Sequence, residues 1–174
     1  MEVEFYIAQG ISILTAVVAI LSMQMKSMKT ILITQICANL LASSTYFLLG
    51  GFSGAGISLI AIIQLIVMYV YDIKQKKPHW FVVALFIAAY IVYSVFNFKN
   101  VMDIFPLLAA IFFALGVVQK KPSIFRIYGM LNPLCWLVYD IYSLAIINSI
   151  MRVGIFTSAL IAKIRLDGFL RKKS

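Results

Sequence analysis

The sequence predicts an all-α integral membrane protein of seven transmembrane helices, built as two parallel three-helix repeats joined by a linker helix. Three observations carry that prediction. Apolar residues make up 63% of the chain against 12% charged, and mean hydropathy is +1.01, whereas a soluble domain carries about 25% charged residues. The apolar residues gather into seven runs, and the basic residues concentrate in alternate intervals between them. A core of 174 residues cannot withdraw this much apolar surface from water, so lipid is the expected solvent.

The runs lie at 5–23, 30–49, 54–71, 80–96, 104–118, 127–147 and 150–162. Most approach the ~20 residues that cross hydrocarbon as a helix. The first follows Glu2 and Glu4 rather than a positive n-region, and no small-x-small cleavage site follows it, so it reads as a retained span. The last is short and starts beside Arg152. Cys37 and Cys135 both fall inside apolar runs, which suits small reduced packing residues better than a disulfide framework.

The net charge of +9 would suggest nucleic acid on a soluble surface, but its distribution points to a membrane instead. Lys26 and Lys29, then Lys74, Lys76 and Lys77, then Lys120, Lys121 and Arg126 occupy alternate loops. Lys163, Arg165, Arg171, Lys172 and Lys173 follow the last run. With seven spans these share one side and hold 13 of the 15 Lys and Arg, leaving Lys99 and Arg152 opposite. Cytoplasmic loops retain Lys and Arg, so the amino terminus is expected outside and the carboxyl terminus in the cytoplasm. The basic tail then faces anionic headgroups of the bilayer. No nucleic-acid partner is expected.

A shift of 93 residues lays the first three runs on the last three, pairing Leu14 with Leu107, Ala16 with Ala109, Asn39 with Asn132 and Tyr46 with Tyr139. Three spans end on the side opposite their start, so two such trios lie parallel only if a further span returns the chain. The run at 80–96 supplies it. The expected division is a first bundle at 1–77, a linker helix at 78–98 and a second bundle at 99–174. Parallel repeats of this kind are a known transporter plan, with the solute site near the midplane between the halves.

Polar side chains within the runs are the informative ones, because lipid tolerates them only where they find partners or water. Tyr128, Asn132, Trp136 and Tyr139 stand at spacings of four, four and three, and Gln35, Asn39, Ser43 and Tyr46 form a second stripe. Two such stripes suit facing walls of one cavity, with Asn donating and accepting and Trp offering a flat face. The plainer reading of Asn39 and Asn132 is interhelical hydrogen bonding. Ser53 and Asn148 near the outer ends, and Gln64 and Thr157 within spans three and seven, are further lining candidates. Asp140 reads either as a proton-coupling group or as an outward-facing interfacial carboxylate. No nucleophile–base set, phosphate loop or metal-ligand spacing accompanies His79, so neither an enzyme nor a cofactor or metal site is expected.

Pro106-Leu107, Pro122 and Leu131-Asn132-x-x-Cys135-Trp136-x-x-Tyr139 resemble the second half of the SWEET sugar transporters, of the PQ-loop (MtN3-like) grouping. The overall size resembles the bacterial YgjV inner-membrane proteins of the same broad grouping. The resemblance implies uniport of a small polar solute, a sugar among the candidates, by alternating access. It assigns substrate contacts to Asn132, Trp136 and Asn148 and bending points to Pro106 and Pro122. The chain departs from that pattern at Ile13 and Lys29, which stand where hinge prolines of a first half would, and at Pro133, where SWEETs usually carry glycine. The expected substrate-binding set is therefore Asn39, Ser43, Asn132, Trp136, Tyr139 and Asn148. A monomer suffices for such a path, and a homo-oligomer is compatible with it. A receptor that binds in the same cavity without transporting is the alternative from another functional class.

Overall fold

The computed structural model describes residues 2–48, 52–98, 100–142 and 146–167. Among these the chain forms α1 (Glu2–Gln24), α2 (Met28–Leu48), α3 (Phe52–Ile73), α4 (Trp80–Phe96), α5 (Ile104–Val117), α6 (Pro122–Tyr142) and α7 (Ile146–Asp167). A 3₁₀ turn at Val101–Asp103 leads into α5. It is held by a capping box in which the Asn100 side chain accepts from the Met102 amide and Asp103 Oδ2 accepts from the Asn100 amide.

Helices α1, α2 and α3 are long and apolar enough to cross a membrane, while α4 and the Val101–Val117 segment are apolar but shorter. Helices α6 and α7, of 21 and 22 residues, have spanning length but carry Arg126, Asp140, Arg152, Lys163, Arg165 and Asp167. Those charges explain a difference from the apolar runs. The runs stop short of Arg126 and Lys163, yet α6 starts ahead of Arg126 and α7 continues past Lys163, and both cations have partners inside the protein. The short run 150–162 is therefore the middle of a full-length helix.

The burial pattern is that of a protein in lipid. Fully enclosed positions carry Ala8, Ala109, Ala114, Ala159, Ala162 and Gln64, whereas Leu, Ile and Phe crowd the exterior. Small residues let membrane helices approach closely, and large apolar ones face the tails. Consecutive helices pack as α1 on α2 on α3, and as α5 on α6 on α7. Between these trios α1 lies against α7 and α3 against α5. Helix α4 touches α5 and α3, burying chiefly Phe86 and Tyr90. Its Phe81, Leu85, Val92 and Phe96 stay exposed.

Helices α2 and α6 begin at Met28 and Pro122, 94 residues apart. Burial agrees, since Ile31, Leu32 and Gln35 are buried, as are Phe125, Arg126 and Gly129, 94 positions on. This separation exceeds the sequence shift by one.

Both prolines expected to bend helices lie in first turns, Pro106 in α5 and Pro122 at the start of α6. A first-turn amide has no helical acceptor, so proline there interrupts nothing. This corrects the hinge expectation for both. The proline inside a helix, among the described residues, is Pro133. Gly50, Lys99 and Arg171–Lys173 lie outside the described residues, as does the side chain of Ser53.

Candidate functional site

A cavity of about 310 Å³ lies between the two trios. Its polar wall takes Gln9, Ser12 and Thr15 from α1, Gln35, Asn39, Thr45 and Tyr46 from α2, and Ser58 from α3. The facing wall takes Tyr128, Asn132 and Trp136 from α6 and Asn148 and Arg152 from α7. Ala16, Ala19, Ala38, Ala42 and Ala61 complete the surface, and their small side chains leave the space.

Asn132 donates from Nδ2 to the Ala109 carbonyl of α5 at 2.8 Å, and Asn39 donates to the Gln35 carbonyl of its own helix at 2.8 Å. Both amides are thereby oriented, and each keeps an Oδ1 without a protein donor among the described residues. Asn132 thus does join two helices, as the plainer sequence reading held, while also lining the space. Trp136 is set by an edge-on contact with Tyr139, centroids 6.2 Å apart. Tyr139 backs the ring and does not itself line the cavity. Ser43 is buried away from the cavity. At 100° per residue it stands about 80° around the helix from Gln35, and Ala42 takes the lining position instead. Of the six expected residues, the structure brings Asn39, Asn132, Trp136 and Asn148 together, and it leaves Ser43 and Tyr139 outside. Gln64 is fully buried elsewhere, and Thr157 is exposed.

Arg152 was legible only as a stray cation and is the main addition. Its Nε donates to Asp140 Oδ2 at 3.2 Å, and its guanidinium carbon lies 4.9 Å from the centroid of the Trp136 ring. Asp140 is 4% exposed, so it is not the interfacial carboxylate that one reading of the sequence offered. It is the buried partner of Arg152.

The two ends of the cavity differ. Gln9, Ser12, Asn148 and Arg152 keep some exposure, whereas Met23, Phe125 and Gly129 at the other end are buried. A Cβ on Gly129 would come within 2.9 Å of Met23 Sδ, so α1 and α6 meet there because position 129 has no side chain. Next to that contact Arg126 is 1% exposed. It donates to the carbonyls of Met23 and Met25 and to the Asp167 carboxylate. Those carbonyls end α1, where a helix leaves acceptors unfilled. Arg126 is thus a buried clamp across the two trios rather than a loop cation. Gln24 adds bonds at 2.8 Å to the Ser158 carbonyl and hydroxyl, and Ser158 Oγ donates to the Ile20 carbonyl.

Residues 6–168 match the profile of the Imp-YgjV family, whose description is bacterial inner membrane protein. The chain belongs to this family. The match spans all seven helices, so the apolar exterior of this Imp-YgjV member is the face it turns to the lipid of a bacterial inner membrane. No curated protein and no solved structure matches the chain. Among the described residues of the Imp-YgjV chain, no three His, Cys, Asp or Glu converge on a metal-sized space, and both cysteines are free.

Proposed function

We propose that the protein is a facilitative transporter that carries a small polar solute through this cavity by alternating access. The observation that carries the reading is the cavity itself. It is solute-sized, its polar groups come from both trios, and it is closed at one end by contacts between them. The closed end combines apolar packing around Met23, Met28 and Phe125 with side-chain bonds from Arg126 and Gln24. Such bonds can exchange for water if the trios rock apart, and a path to the other side would then open.

In this reading the trios are parallel repeats in a three-plus-one-plus-three plan of the SWEET and PQ-loop kind, with α4 as the linker. The common 94-residue separation supports it, and so does a pair of interhelical bonds. Gln64 donates to the Ala114 carbonyl at 3.3 Å, and Ser158 donates to the Ile20 carbonyl at 3.0 Å. Donors and acceptors in the two bonds are each 94 residues apart, so the last helix of each trio grips the first helix of the other. The basic loops meet at the closed end, as the Lys120 bond to the Gln75 carbonyl and the Arg126 bonds to the α1 terminus illustrate. That end is cytoplasmic in our reading, which leaves the cavity open to the outside.

Solute flux into proteoliposomes is the test. Asn132→Ala and Trp136→Ala are each expected to abolish uptake at normal expression, and undiminished uptake in both would remove the site from the path. A receptor using the same cavity is the second reading, and the number of bonds holding the closed end favours it to that extent. Solute binding without flux would decide for it.

A further inference from the structure

We infer that the solute is a small organic anion bearing hydroxyl groups, rather than a neutral sugar or a cation. The inference rests on the transport reading only for the cavity's being a solute site. Arg152 is the one charged side chain on the cavity wall, among the described residues. Its partner Asp140 is buried behind it and does not line the space. That pairing is a single contact through Nε, so both terminal nitrogens of the guanidinium make no hydrogen bond among the described residues. They are the two donors that grip a carboxylate or phosphate end-on.

The surroundings fix the same sign. The guanidinium covers the Trp136 ring, the wall's strongest attractor for a cation, so a cationic solute would meet a positive charge there. Asn132 precedes Trp136 by one turn, about 6 Å along the axis, and presents the free Oδ1 described above, as Asn39 does. A solute with an anionic head at Arg152 and hydroxyl donors a few bonds away satisfies both groups of wall atoms. A neutral sugar leaves the guanidinium donors facing only its hydroxyls, and a cation is repelled.

The test compares matched pairs on protein purified in neutral detergent, following the melting temperature with gluconate against glucose, lactate against lactamide, and glucose 6-phosphate against glucose. At least one anion is expected to stabilise the protein with an apparent affinity roughly tenfold above its neutral partner. The advantage should vanish in the double variant Arg152→Gln/Asp140→Asn, which removes both charges together and leaves no buried carboxylate unpaired. Three outcomes overturn the inference: no anion exceeding its neutral partner, an anion advantage that survives in the double variant, or stabilisation by added phosphatidylglycerol alone. Anion-selective binding without flux would instead sink transport and leave the inference standing. Flux of a neutral solute that no anion inhibits would do the reverse.

Discussion

Arg126 shows what a charge costs inside this protein. Its guanidinium is enclosed and feeds two carbonyls and one carboxylate, so truncating it strands three acceptors at once. Arg126→Met is expected to lower stability by about 3–5 kcal/mol, read as the midpoint of thermal inactivation in detergent. A variant as stable as the wild type would show that the clamp is ornamental. Tyr90→Phe makes a graded comparison, because it removes one bond to Gln64 Oε1 at 3.2 Å while keeping the ring buried. Interhelical bonds of this kind are worth about 0.6 kcal/mol, and the same assay should register a loss of that order. At this scale the sequence was partly legible. Asn39, Asn132, Trp136 and Asn148 stood out because polar atoms in an apolar run need a reason. Arg126 and Arg152 did not, because a cation near a run's end looks the same whether it is solvated or paired across the bundle. The opposite charges of Asp140 and Arg152, 12 residues apart in two consecutive apolar runs, were the available signal.

Helix α6 carries Asn132 and Trp136, and its parts are bound to different neighbours. Arg126, Gly129 and Asn132 tie its first half to α1, α5 and Asp167 of α7, whereas Trp136 and Asp140 beyond Pro133 engage Arg152 of α7. Proline at 133 removes the amide that would bond the Gly129 carbonyl, which loosens the helix between those two sets of contacts. Pro133→Ala is expected to restore that bond, raise thermal stability and slow flux severalfold. Unchanged flux would place the bending elsewhere. Gly129→Leu should act differently, forcing Met23 aside and holding the closed end apart, so that binding weakens before stability does. Sequence gave the existence of every helix but misjudged two boundaries and the hinge. Run edges follow hydropathy, while helix ends follow backbone hydrogen bonding, and a proline's effect depends on its distance from the helix start. The 93-residue shift read from sequence identities lies one short of the offset that the buried positions of α2 and α6 share, because identities in an apolar chain set a register less firmly than burial does.

At the scale of the whole molecule, two trios of helices meet along α1–α7 and α3–α5 and leave a polar space between them. Composition alone required the membrane, because 63% of the residues are apolar and only 12% are charged. It could not reveal the space, which is lined by Ala38 and Ala42 of α2 and Ala61 of α3, brought together only in three dimensions. If the trios rock, the same lining atom must meet water from either side of the bilayer in turn. Ala42→Cys, in a chain whose Cys37 and Cys135 are replaced by serine, places one thiol on the cavity wall with little change in volume. Its modification by a membrane-impermeant anionic methanethiosulfonate is followed in sealed vesicles of each orientation, with lipid-facing Ile33→Cys as the unreactive control. Alternating access requires labelling from both faces, slowed from each by a bound solute. Labelling from one face only, at a rate indifferent to solute, would contradict the account.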